Sequence, residues 1–100
     1  MFLGLFTLGT TLAVPLQLAA GNSPVTATGT PTFRIYSGAS STPVATGSLS
    51  ASVVDSQTGL HLLTQALTIA NGFAVGVYVV RVAYVASATD AVQEYAFQVT

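Results

Sequence analysis

The C-terminal quarter reads "GVYVVRVAYVA" (residues 76–86), "SATD" (87–90) and "AVQEYAFQVT" (91–100). Apolar side chains recur at every second position. Tyr78, Val80, Val82 and Tyr84 share one face of the first run, and Tyr95, Phe97 and Val99 share one face of the second. A period of two belongs to a strand, and Val- and Tyr-rich runs suit a pleated, half-buried surface. The short polar "SATD" reads as the connection of a hairpin. Setting Val80 opposite Tyr95 puts both apolar sets on the same side and leaves a loop from Ala86 to Thr89. The same register sets Arg81 directly opposite Glu94 on the outer face, where a cross-strand ion pair is expected.

The same period runs back through the chain. Leu12, Val14, Leu16 and Leu18 alternate with Ala13, Pro15 and Gln17, and because proline cannot donate to a ladder, this strand is expected to lie at a sheet edge or to lose pairing there. "AGNSP" (20–24) reads as a turn. "TPTFRIY" (30–36) directs Phe33 and Ile35 to one side and Thr32, Arg34 and Tyr36 to the other. Between Gly47 and Val54, Leu49, Ala51 and Val53 alternate with serines, which predicts a further strand. "LHLLTQALTI" (60–69) fits helical spacing at Leu60, Leu63 and Leu67 but is read as a strand, its end around Thr68 to Phe73 forming a short helical turn or loop. Six or seven short strands separated by turn residues predict an all-β fold, an antiparallel β-sandwich.

Composition sharpens this. The chain has 100 residues, 51% of them hydrophobic and 5% charged, a formal net charge of -1 and no cysteine. That is the length of one domain, large enough to hold a core without staples. Without cysteine there is no disulfide framework and no thiolate metal site. The ionic residues are Arg34, Asp55, Arg81, Asp90 and Glu94, with His61. So few cations exclude a phosphate-neutralising patch, and nucleic acid is not an expected partner. A neutral, weakly repulsive surface suits a protein that packs against copies of itself or against a partner.

The opening "MFLGLFTLGTTLAVPLQLAAGN" (1–22) carries no charged side chain. A secretion signal needs a cationic start, and the first Lys or Arg is Arg34. A spanning helix needs about 20 predominantly apolar residues, and Gly4, Gly9, Pro15 and Gln17 interrupt this window. A strand explains the alternation from Leu12 onward. Residues 1–11 are therefore set apart as an apolar N-terminal arm and residues 12–100 as the sandwich domain. Phe2, Leu3, Leu5 and Phe6 are too many large apolar groups to leave in water. They either fold back onto the sandwich or dock into a neighbouring subunit, and docking is the favoured expectation.

Little in the chain points to chemistry. One imidazole cannot make a multi-histidine metal site. A Ser-His-Asp set can be drawn from Ser56, His61 and Asp55 or Asp90, but no G-x-S-x-G elbow accompanies it. Asp55 and Asp90 sit at turns, and Glu94 faces Arg81. No catalytic, cofactor-binding or metal-binding residue is assigned, and no enzyme is expected.

Taken in order, "FTLGTTLAVPLQLAAGNSPV", "GTPTFRIYSG", "ATGSLS", "DSQTGL", "IANGFAVGVYVVRVAY" and "YAFQVT" resemble a family of small immunoglobulin-like domains of bacteriophage virion proteins. Domains related to the N-terminal part of baseplate upper proteins belong to it. "NGFAVGVYVVRV" (71–82) is its most specific part, while "GLHLL" (59–63) departs from it, lacking an aromatic near His61. The resemblance implies an immunoglobulin-like sandwich of about seven strands in a virion structural protein. Its partners would be copies of itself and other virion proteins of the capsid, neck or tail, with no cofactor, no nucleic acid and no membrane. A receptor- or glycan-binding module is the alternative, using the tyrosines. A secreted domain with an uncleaved leader ranks below it.

Overall fold

The computed structural model describes residues 2–38 and 40–100. Met1, the first residue of the expected arm, and Ala39 lie outside the described residues. The protein is all-β, with nine strands among the described residues. They are β1 (Phe2–Phe6), β2 (Thr11–Gln17), β3 (Ala19–Ala20), β4 (Ser23–Pro24), β5 (Thr32–Ser37), β6 (Pro43–Ser48), β7 (Leu60–Ala66), β8 (Gly76–Ala86) and β9 (Thr89–Val99). A five-stranded sheet runs in the order β1-β9-β8-β5-β6, β2 pairs with β7, and β3 with β4.

The alternation read from the sequence decides which side chains meet between the sheets. Leu12 and Leu16 of β2, Leu63 of β7 and the following Leu18 and Leu67 are buried from one side. Phe33 and Ile35 of β5, Tyr78, Val80, Val82 and Tyr84 of β8, and Tyr95, Phe97 and Val99 of β9 are buried from the other. Phe97 stacks on Tyr78 with ring centroids 5.5 Å apart, and Phe73 tilts against Tyr78 at 5.1 Å. The Tyr78 hydroxyl turns back to the corner before its own strand. It donates to the Ala74 carbonyl at 3.1 Å and accepts the Ala74 N–H at 2.9 Å, fixing the loop that feeds β8.

Three local expectations change. Residues 2–6, set apart in the sequence as an arm, form an edge strand of the large sheet and pair with β9 in parallel. A wholly antiparallel arrangement is thereby corrected. The strand expected over Gly47 to Val54 lies earlier, at Pro43–Ser48. Gly47 there faces Phe33, whose ring occupies the space of a Cβ: one built at Gly47 lies 2.8 Å from the ring. Beyond it Leu49 drops into the core, and the chain leaves the sheet toward a tight turn at Val54–Ser56. Finally, Ala86 pairs with Thr89, so only Ser87 and Ala88 lie between the long strands, with φ of 52° and 62°.

Two left-handed residues match the twist that a two-residue hairpin needs, but a Cβ makes that conformation costly. Ala88→Gly should therefore raise stability by about 1 kcal/mol, read as a higher urea midpoint at unchanged slope. Tyr78→Phe strips the Ala74 amide and carbonyl of their partner and should lower stability by about 1–2 kcal/mol in the same measurement.

Candidate interaction surface

On the inner side, polar groups are consumed by structure. His61 lies on β7, 4% exposed, with Nδ1 2.8 Å from the Ser50 carbonyl oxygen. A carbonyl only accepts, so Nδ1 carries the proton and the ring is committed to holding the segment after β6. Asp55 and Ser56 lie in the tight turn after that segment, with φ of 50° and 55°. Among the described residues no group of three His, Cys, Asp or Glu side chains is placed to hold a metal ion.

Sequence reading did not find the polar knot at one side of the sheets. Gln93 of β9 accepts from the Ala19 N–H at 2.8 Å and from the Tyr84 hydroxyl at 2.7 Å. Its Nε2 donates to the Gln17 carbonyl at 2.9 Å and to the Tyr95 hydroxyl. The Gln17 side chain in turn donates to the Thr58 carbonyl at 2.6 Å. A groove of about 510 Å³ opens beside the knot, lined by Pro15, Leu16, Leu60 and Tyr95 with the two glutamines. Burial raises the pKa of the Tyr95 phenol, with the Gln93 hydrogen bond pulling the other way. Only an alternation-matched glutamine signalled the knot, because its backbone partners, Gln17 and Ala19, lie more than seventy residues away in the chain.

The outer face of the large sheet is different in character. Each strand directs every second residue there, and pairing aligns these residues in rows across the sheet. One row is Thr46, Arg34, Arg81 and Glu94, from β6, β5, β8 and β9. Arg81 Nε lies 3.1 Å from Glu94 Oε2, both side chains being at least half exposed. An exposed pair of this kind contributes about 0.2–1 kcal/mol and chiefly helps select register. Arg34, directly opposite Arg81, is in no ion pair among the described residues. A neighbouring row is Pro43, Tyr36, Val79, Ala96 and Phe2, and beyond it Val77, Gln98 and Leu5 align. On the other side of the charged row, Val92 lies beside Ala83 and Thr32. A shallow cavity of about 220 Å³ follows the two arginines, Tyr36, Ala83 and Val92.

The four arm residues are thus divided. Leu3 and Phe6 pack against the core, with Phe6 edge-on to Phe97 at 6.0 Å between centroids. Phe2 and Leu5 stand on the outer face, 56% and 64% exposed. Among the described residues eight large hydrophobic side chains are exposed, and Phe2, Leu5, Val77 and Val92 of that set share this face. The other four are Val53, Leu62, Ile69 and Val75. Of the five charged residues, Arg34, Arg81, Glu94 and, by strand alternation, Asp90 lie on the same face. The tyrosines divide the other way. Tyr78, Tyr84 and Tyr95 are buried, and Tyr36 reaches the outer face.

A phenol held protonated by the fold takes protons from solution that the unfolded chain gives up first. Stability from Tyr95 is fully present below the unfolded tyrosine pKa near 10 and is lost as pH rises through the higher folded value. Denaturation midpoints should therefore fall above about pH 10, and Tyr95→Phe should flatten that fall; an unchanged slope would count against the buried phenol.

Comparison of the chain with protein families, with curated proteins and with solved structures yields no match.

Proposed function

We propose that this chain is a non-enzymatic structural component of a bacteriophage virion, an immunoglobulin-like sandwich that works by symmetric protein–protein assembly. The observation that carries the assembly is the outer face of the large sheet, where Phe2, Leu5, Val77 and Val92 are exposed together around a short charged row. Single exposed apolar residues are ordinary, but several on one sheet face, on both sides of a charged row, mark a surface that is covered in use. Ile69 and Val75, 76% and 68% exposed beside the corner before β8, add apolar surface elsewhere on the molecule. More than one such place is what a building block with several neighbours needs.

Two features support the immunoglobulin-like reading. A sheet that places β6, β5, β8 and β9 side by side, opposite a β2–β7 pair, has the C′-C-F-G and B-E arrangement of that sandwich. The Tyr78 hydroxyl bonded to Ala74 has the form of a tyrosine corner, at the start of the penultimate strand and a few residues after the connection from β7. The virion setting rests on the resemblance of the ordered segments from "FTLGTTLAVPLQLAAGNSPV" to "YAFQVT". The glycan-binding alternative draws less support, since three of the four tyrosines it relies on are spent in the core.

Val77→Asp combined with Val92→Asp tests the reading, because both side chains are about half exposed and need not disturb the core. The double variant should keep its circular dichroism and melting temperature. Its self-association or incorporation into particles should weaken by about tenfold or more, since charge on a desolvated contact is not repaid. Particles that take up the variant at wild-type copy number would refute the proposal.

A further inference from the structure

We infer that the outer face of the large sheet pairs with the same face of a second copy about a twofold axis along β8, joining Arg34 of each copy to Glu94 of the other. This rests on the assembly reading above and names the partner of that surface. The argument begins with the position of β8, the central strand of the order β1-β9-β8-β5-β6. An axis along the central strand lets all five strands of one copy lie over five of the other; an axis across the strands does so too, but along the charged row it sets Arg34 on Arg34 and Glu94 on Glu94. The axis along β8 places β9 over the partner's β5 and β1 over the partner's β6.

Charge then selects the same axis. Glu94, Arg81 and Arg34 are consecutive members of one row, with Arg81 on β8 in the middle. A half-turn about β8 exchanges the ends of that row, so each Glu94 carboxylate stands over the second copy's Arg34 guanidinium. Shifting the axis to lie between β8 and β5 sets Arg81 over Arg34 instead, which is repulsive, and shifting it to lie between β8 and β9 sets Arg81 over Glu94 but leaves both Arg34 and β6 uncovered. Arg81 sits at the axis and keeps Glu94 of its own chain at 3.1 Å, so the two Arg81 planes meet with a carboxylate beside each. Stacked sheets lie about 10 Å apart, a gap that an extended arginine and a glutamate span together. Arg34, in no ion pair among the described residues, thereby gains a carboxylate.

The apolar rows fit the same operation. Val79 meets its own copy at the axis, Ala96 lies over Tyr36, and Phe2 lies over Pro43. With Asp90 counted, the face carries two cations and two anions, so two copies approach without net repulsion. Five strands spaced about 4.8 Å apart, two of eleven residues and three of five or six, at about 3.3 Å per residue present on the order of 600 Å². Specific interfaces begin at about 600 Å² on each partner, so the face reaches the low end of what a stable dimer buries.

The test uses the full chain and two charge reversals. Wild type should show a concentration-dependent dimer by analytical ultracentrifugation, weakened by added salt. Arg34→Glu and Glu94→Arg should each weaken it by about a hundredfold or more, because like charges then face each other twice. Mixed in equal amounts, the two variants should restore a dimer containing one of each, since the acidic side chain at position 34 then faces the basic one at position 94. Thermal melts of each variant confirm that the fold persists. A mixture that stays monomeric overturns the pairing, as does a wild-type chain that stays monomeric while Val77→Asp with Val92→Asp abolishes its uptake into particles. In that last case the face binds a different protein and the assembly reading stands. If neither the reversals nor the valine changes affect any association, both inferences fall.

Discussion

The register of the β8–β9 hairpin is the constraint on which the other features of the structure depend. The two strands pair continuously from Gly76 opposite Val99 to Ala86 opposite Thr89. Sliding one strand by a single residue exchanges its faces, sending Tyr95, Phe97 and Val99 outward and Glu94 into the core. In the observed register Tyr95 and Phe97 meet the inner residues of β8, and β5 then locks onto the far side with Ile35 opposite Val80 and Phe33 opposite Val82. The same pairing that builds the core aligns Arg34, Arg81 and Glu94 outside. Core and surface row are consequences of one choice.

Packed sheets also have open sides, and there this chain, which has no cysteine, relies on hydrogen bonds. Gln93 gathers the backbone of residues 17 and 19 and the hydroxyls of Tyr84 and Tyr95 into one satisfied cluster. Among the described residues no buried side-chain nitrogen or oxygen lacks a partner. Each such bond adds only about 0.5–1.5 kcal/mol net, but an orphaned one costs more, so the cluster acts mainly by penalising other ways of laying β2 against β9. Gly59 belongs to the same junction. A Cβ there would lie 2.4 Å from the Val25 carbonyl oxygen, so the crossing of the strands is set by backbone contact.

Much of this was legible in the sequence because it depends on local period. The inward sets of β2, β5, β8 and β9 and the facing of Arg81 with Glu94 follow from alternation and one hairpin. What was not legible depends on distant partners. Residues 2–6 have no strict alternation, since the pairing of β1 shifts register around Gly4, at φ 126°. Their place as a strand comes from the free edge of β9. The serine-rich segment after Gly47 does alternate, yet only Leu49 of its three apolar residues is buried, because the large sheet ends at β6. The candidate surface was half visible. Glu94 and Arg81 are neighbours through a hairpin, whereas Arg34 reaches them only through the β5–β8 pairing, which no local pattern encodes.

The edges of the large sheet bear on how such a surface is used. An exposed edge invites strand addition without limit, and both edges here are blunted. β1 carries the bulge at Gly4, and β6 begins with a proline and breaks register between Ile35 and Tyr36 of its partner. Association through edges is discouraged, which is consistent with the proposed use of the face. A purely apolar face would accept another sheet in many offsets, since hydrophobic contact has no direction. Charges placed inside the patch remove that freedom, because most offsets set like against like or leave a guanidinium uncovered. In a chain with five charged residues, four on the one apolar sheet face are too few to keep the surface apart from others. In the proposed dimer they are enough to specify how it is covered.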